Sequence, residues 1–229
     1  MAHSGFRRDR EAANTEAVED YAKAIYALER QSGEPVSNSA LATRLGVSPG
    51  TATAMVKKLA ELGLAEHTLY HGVSLTSSGE RIALEVIRHH RLIESFLADA
   101  LGMPWDKVHD EAEVLEHYIS EDLEERMASV LGDPSHDPHG DPIPDRTLTL
   151  VEESTVALGE LDTGESATFT RVSDSDPEML RYLDERGIRP GVQVTVRERE
   201  PFGGALMVSV DGAAHTIGSQ LADRMLVAP

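Results

Sequence analysis

Residues Val108–His117 read VHDEAEVLEH, and the spacing of their donors decides how the rest of the chain is understood. At 100° per residue on a helix, Glu113, Glu116 and His117 fall within about 100° of one another, so two carboxylates and an imidazole can converge on one point. Such a set suits a metal ion. His109 points close to the direction of Glu116 but lies seven residues earlier. At 1.5 Å per residue that is about 10 Å down the axis, too far to share the same ion. Upstream, His90 and Glu94 are spaced i,i+4 on another helical run, which puts them on one face as partners for His109 in a second cluster. The competing reading on spacing alone is a merely solvated acidic face, which gives no reason for donors to fall into two sets.

The chain has 229 residues, 40% of them hydrophobic, enough for one large domain or two to three small ones with real cores. No apolar run of about 18 residues and no basic start followed by an apolar segment occurs, so the sequence reads as soluble and cytoplasmic, without a membrane partner. With no cysteine, disulfides and thiolate ligands are excluded, and any metal is held mainly by nitrogen and oxygen. The net charge of −19 opposes nucleic-acid binding unless it is unevenly placed. It is: residues 1–75 carry 8 Lys/Arg against 9 Asp/Glu, residues 76–150 carry 6 against 17, and residues 151–229 carry 7 against 14. The N-terminal third is therefore free to approach phosphate.

Met1–Asn14 is polar and without a period, a mobile arm. Thr15–Gln31 carries a helical apolar stripe, Ser37–Leu45 a short helix, and Gly46-Val47-Ser48-Pro49 a tight turn with Ser48 as N-cap and Pro49 in the first helical position of Pro49–Leu62. This is a helix-turn-helix. Ser48, Pro49, Thr51 and Thr53 at the start of the second helix suit close approach to a groove, and Lys57 and Lys58 add phosphate neutralisation. Two short strands around Tyr70-His71-Gly72 complete a wing.

Gly79–Leu101 forms the next helix, and a long helix opening at Trp105 or Asp106 runs to about Leu131. Its apolar stripe, including Leu115, Leu123, Met127 and Val130, is too wide for two helices to bury alone, which implies a dimer interface. Gly132–Leu150 holds four prolines and reads as a semi-rigid linker; its His136 and His139 could bind metal, but solvated linker histidines are the favoured reading. Beyond it the period changes to two: strands at Ser166–Val172, Val192–Val196, Leu206–Val210, Ala213–Ile217 and Met225–Val227, with one helix at Pro177–Arg186, predict a small SH3-like barrel. The fold class is mainly α with a small β domain. The boundaries are 1–14 arm, 15–76 winged-helix DNA-binding domain, 77–131 metal-binding and dimerisation domain, 132–151 linker and 152–229 SH3-like domain.

His90-Arg91-Leu92 with Glu94, Val108-His109-Asp110-Glu111-Ala112, Glu113 with Glu116-His117, and Gly140-Asp141-Pro142-Ile143-Pro144 together give a pattern that resembles the diphtheria toxin repressor family of metal-dependent regulators, and most of all its manganese-responsive branch. The resemblance covers essentially the whole chain after the arm. It implies a first site of Asp20, Glu113, Glu116 and His117, and a second of His90, Glu94 and His109 with a carboxylate from the β domain, Asp176 by alignment and Asp174 as fallback. Where the iron-responsive branch carries cysteine and methionine, this chain has Glu113 and Asp20, an oxygen-rich set that suits Mn2+ over Fe2+. Lys23 stands where some manganese regulators have an acidic ligand, which implies separate ions rather than a two-metal cluster. The resemblance thus implies a Mn2+-activated repressor of metal-uptake genes, binding palindromic operator DNA as a homodimer, with Fe2+ possible as the signal and other divalent ions able to bind in vitro. A metallohydrolase and a constitutive DNA-binding protein are the other classes.

Overall fold

A computed structural model describes residues 16–68 and 72–228. The expected arm, Thr15 as a cap, and Tyr70 and His71 lie outside the described residues. The chain divides into two compact units, residues 1–89 with 146–149, and residues 90–145 with 150–229.

The first unit is built on α1 (Glu16–Ser32), α2 (Asn38–Arg44) and α3 (Pro49–Glu61). Val18, Ile25, Leu41, Ala52, Val56 and Leu59 are fully buried together, and this is why the amphipathic stripes of three short helices suffice for a core. Ser37 and Ser48 cap α2 and α3, each side chain accepting from the backbone N–H three residues on. β1 (Ala65–Thr68) and β2 (Gly72–Leu75) pair antiparallel from Ala65↔Leu75, and Val36 bridges to Val73, so the wing is tied to the segment ahead of α2. Glu29 of α1 accepts from the Leu75 N–H at 3.3 Å, a second tie.

α4 (Ser77–Ser95) contributes residues 77–89 to this unit and residues 90–95 to the other. It ends in a wide π-turn at Phe96–Ala100. The long helix expected from Trp105 to Leu131 is two helices, α5 (Val108–Leu115) and α6 (Glu121–Val130). The physical reason lies at Ser120: its side chain accepts from the Leu123 N–H, and Glu121, Asp122 and Glu124 favour the positive end of a new helix. Val108, Ala112, Met127 and Ala128 pack with Leu92, Ile93, Leu97 and Ile143.

The β domain is a six-stranded antiparallel sheet in the order β3-β8-β4-β5-β6-β7, from β3 (Val156–Ala157), β4 (Ser166–Val172), β5 (Gln193–Arg199), β6 (Leu206–Val210), β7 (Ala213–Ile217) and β8 (Met225–Ala228). α7 (Pro177–Asp184) closes it by burying Leu180 and Leu183 against Phe169, Val194, Val196 and Val208. Shifts of register at Phe169/Arg171 and Val196/Glu198 bend β4 and β5, as closing a small barrel requires. Trp105 belongs to this core although it precedes α5.

The Pro-rich segment departs from a linker over 135–145. Asp137 Oδ1 accepts from the N–H groups of His139 (2.8 Å) and Asp141 (3.0 Å), folding a loop that bonds to β4 through Val172 N–H and His139 C=O. His139 is fully buried, so the expectation of a solvated linker histidine is corrected: the aspartate-centred turn, not the proline content, governs the chain here. Gly140 sits at φ +89°, and a Cβ there would lie 1.8 Å from the Thr170 carbonyl oxygen. Gly140→Ala is expected to cost about 3 kcal/mol in urea unfolding, from strain plus overlap, against about 1 kcal/mol for Gly132→Ala, where φ is +78° but space is open.

Candidate metal centre and DNA-binding surface

Glu94 is the hub of the second unit's polar interior. The i,i+4 spacing on α4 puts its Oε1 3.0 Å from His90 Nε2, and α5 brings His109 Nδ1 to 3.4 Å. Its Oε2 points to His139 Nδ1 on the loop, 3.7 Å away. The β domain supplies Asp174, whose Oδ2 is 3.0 Å from His109 Nδ1. His90, Glu94, His109 and Asp174 thus offer ligand atoms to one point, and Glu94, Asp137 and His139 to another beside it. Asp176 is not brought there. It is the N-cap of α7, accepting from the Glu178 and Met179 N–H groups, and faces Arg224 at 3.6 Å. The fallback residue Asp174 occupies the position, because the N-cap role commits the Asp176 carboxylate to its own helix.

His90 also faces the first set. Its Nδ1 is 2.5 Å from Glu116 Oε2 and 3.8 Å from Glu113 Oε1, while Glu116 Oε1 lies 3.7 Å from His117 Nε2. The carboxylates of Glu94 and Glu116 are fully buried, whereas that of Glu113 is half exposed. His109 and Glu116, seven residues apart, are both met by one imidazole, that of His90 on α4. Asp20 belongs to α1 of the first unit.

Asp137 is the donor that sequence reasoning missed, and His139 one that it set aside as a solvated linker residue. Their signal was the run Asp137-Pro138-His139-Gly140-Asp141, an aspartate two residues before a histidine with a glycine following, which is turn chemistry and not linker chemistry. Arg91, one residue after His90, holds the loop: it donates to the Pro142 carbonyl and lies 3.3 Å from Asp141 and 3.8 Å from Asp137. Arg171 of β4 meets Asp141 at 3.4 Å.

Charge explains the titration of these groups. Burial acts to raise the Glu94 pKa, but His109, His139 and His90 together hold it far below the carboxylate range. Asp174, through its bond, and Glu94 push His109 up to about 10. Burial works against the charge on His139, yet Glu94 carries it up to about 9. Asp137 is raised well above the usual value by burial and by the neighbouring carboxylates Asp141 and Glu94. The site fits a cation on its own atoms: Glu94 Oε2 and His139 Nδ1 are buried, face each other and have no hydrogen-bond partner among the described residues. Every donor is nitrogen or oxygen, the chemistry of a hard to borderline divalent ion.

In the first unit, Ser48, Pro49, Thr51, Lys57 and Lys58 of the expected recognition helix are exposed. Thr53 is different: its hydroxyl donates to the Pro49 carbonyl (2.8 Å) and accepts from Asn38 Nδ2 (3.1 Å), so it locks α2 to α3.

Three family models match the chain in succession. Residues 14–73 match the N-terminal DNA-binding domain of iron-dependent repressors, residues 76–145 their metal-binding and dimerisation domain, and residues 156–229 the FeoA domain. The iron-dependent repressor IdeR of Mycobacterium tuberculosis is 33% identical over 205 residues, covering 84% of this chain and 88% of that protein. The diphtheria toxin repressor of Corynebacterium diphtheriae is 30% identical over 217 residues, covering 88% and 96%. A solved manganese-dependent transcriptional repressor in complex with manganese is 42% identical, with a TM-score of 0.84 and coverage of 92% of this chain and 99% of that one. The chain belongs to the diphtheria toxin repressor family. It is a metal-dependent, DNA-binding transcriptional repressor and not an enzyme, which removes the metallohydrolase reading. Among the described residues no helix is long and apolar enough to cross a membrane.

At neutral pH the raised His109 and His139 hold protons that a cation must displace. Both values lie above the usual 6.5, so affinity should climb as pH rises toward about 9 and fall in acid, by up to roughly tenfold per pH unit for each proton released. Mn2+ titrations followed by the free-ion electron paramagnetic resonance signal at pH 6.5 and pH 8 measure the slope. Proton release in weak buffer counts the groups.

Proposed function

We propose that the chain is a Mn2+-activated repressor of metal-uptake genes, working in the cytoplasm as a homodimer on palindromic operators. The observation that carries this reading is the donor set. Glu94 gathers His90, His109, Asp174 and His139, and Glu116 stands on the other side of His90, with no sulfur in the ensemble. Oxygen-rich sites favour Mn2+ relative to thiolate sites. Asp20, Glu113, Glu116 and His117 constitute the regulatory site in this reading, and His90, Glu94, His109 and Asp174 the second. A divalent ion bound there supplies positive charge that offsets the gathered carboxylates.

The residues' own part is positional. Asp20 lies in the DNA-binding unit and Glu113, Glu116 and His117 in the other, so shared ligation restricts the recognition helices and favours the spacing that matches two operator half-sites. Ser48, Pro49 and Thr51 face the groove, and Lys57 and Lys58 neutralise phosphate. Val114, Leu115, Tyr118, Leu123 and Val130 are apolar or aromatic and exposed on α5 to α6, an area that a second copy would cover. The FeoA domain contributes Asp174. Iron is the second reading, because the similar repressor IdeR is iron-dependent by name and Fe2+ exceeds Mn2+ in affinity for most donor sets.

Anisotropy of a labelled palindromic promoter fragment with chelator-stripped protein at fixed salt tests the proposal. Tight binding is expected with Mn2+ and little with chelator present; equal activation by Fe2+ favours the second reading, and metal-independent binding overturns gating. Glu116→Ala and His117→Ala should each abolish the metal response while leaving the circular dichroism spectrum unchanged. A His117→Ala protein that still needs Mn2+ for operator binding would refute the site assignment.

A further inference from the structure

We infer that Trp105 is the positioning residue for His139, its main-chain carbonyl dictating which imidazole nitrogen faces Glu94. The inference rests on the reading of the Glu94 cluster as a metal site. His139 Nε2 lies 2.8 Å from the Trp105 carbonyl oxygen. A carbonyl oxygen only accepts, so Nε2 carries the proton and Nδ1 is the nitrogen left to ligate. Nδ1 is the atom that faces Glu94 Oε2 at 3.7 Å, both buried and without a hydrogen-bond partner among the described residues. An imidazole that donates one N–H to a carbonyl while presenting its other nitrogen is oriented as metal-bound histidines are oriented by their surroundings.

The indole adds a second constraint. It stacks on the His139 ring with centroids 5.6 Å apart and planes 21° apart, so turning the imidazole loses both the stack and the bond. Trp105 is in turn held by the β domain. Its side chain is buried in the barrel core, Arg189 lies over its ring at 4.8 Å, and the adjacent Asp106 pairs with Arg181 at 3.0 Å. The barrel therefore sets Trp105, and Trp105 sets His139.

The test uses wild-type protein with 15N-labelled histidine and Zn2+ as a diamagnetic probe, His139 being assigned through His139→Asn. Long-range 1H–15N correlation is expected to show His139 with a proton on Nε2 and zinc on Nδ1. Zinc on Nε2, or His139 signals that ignore zinc, overturns the inference. In a His117→Ala background, Trp105→Leu should weaken Mn2+ binding ten- to a hundredfold, and Trp105→Phe, which restores a stacking ring, should recover most of it. Equal losses in the two variants would mean that Trp105 merely fills the core, and would also overturn it.

Discussion

A carboxylate with no exposed surface, surrounded by three histidines, is the constraint on which the second unit depends. Glu94 sits where an unpaired charge would cost several kcal/mol, and each imidazole that offsets it arrives on a different element: His90 on its own helix, His109 on α5, His139 on the loop after α6. Asp174 then steadies His109 from the β domain. A helix, a loop and a barrel are thus held in register by one group's need for partners. Arg91 and Arg171 extend the same logic to Asp137 and Asp141, so that carboxylates and cations alternate through the interior.

His90 gives this interior its second property. Glu116 occupies one nitrogen and Glu94 the other, so a change in charge at either carboxylate alters what the shared ring can donate. The donor clusters, separate when α5 is considered alone, are consequently adjacent in the folded protein and share a single imidazole ring.

Much of this was legible in the sequence. Periodicity placed α1 to α4 and the barrel strands β4 to β8 but not β3, Ser48-Pro49 marked the start of α3, and the i,i+4 pair His90/Glu94 named the core of the second cluster. What escaped was local chemistry overridden by pattern. The apolar stripe from Val108 to Val130 continued through the break at residues 116–120, and only the Ser120 cap followed by acids betrayed it. Proline content masked an aspartate-organised turn, hiding Asp137 and His139. Asp174 and Asp176 lie two apart, and which one caps α7 is decided by the backbone conformation of that turn, invisible to spacing. Thr53 looked free on a helical wheel because its partner, Asn38, lies fifteen residues away.

Trp105 bears on modularity. It lies 51 residues ahead of β3, yet its indole is among the most buried side chains of the barrel core. A chain cut at the Pro-rich segment leaves the barrel with a hole the size of an indole, and leaves the helical part with a large apolar ring exposed to water. The segment recognisable as a domain by its sequence and the segment able to complete its own interior therefore differ. Exchange of this FeoA domain between relatives would succeed only where the residue preceding α5 is exchanged with it.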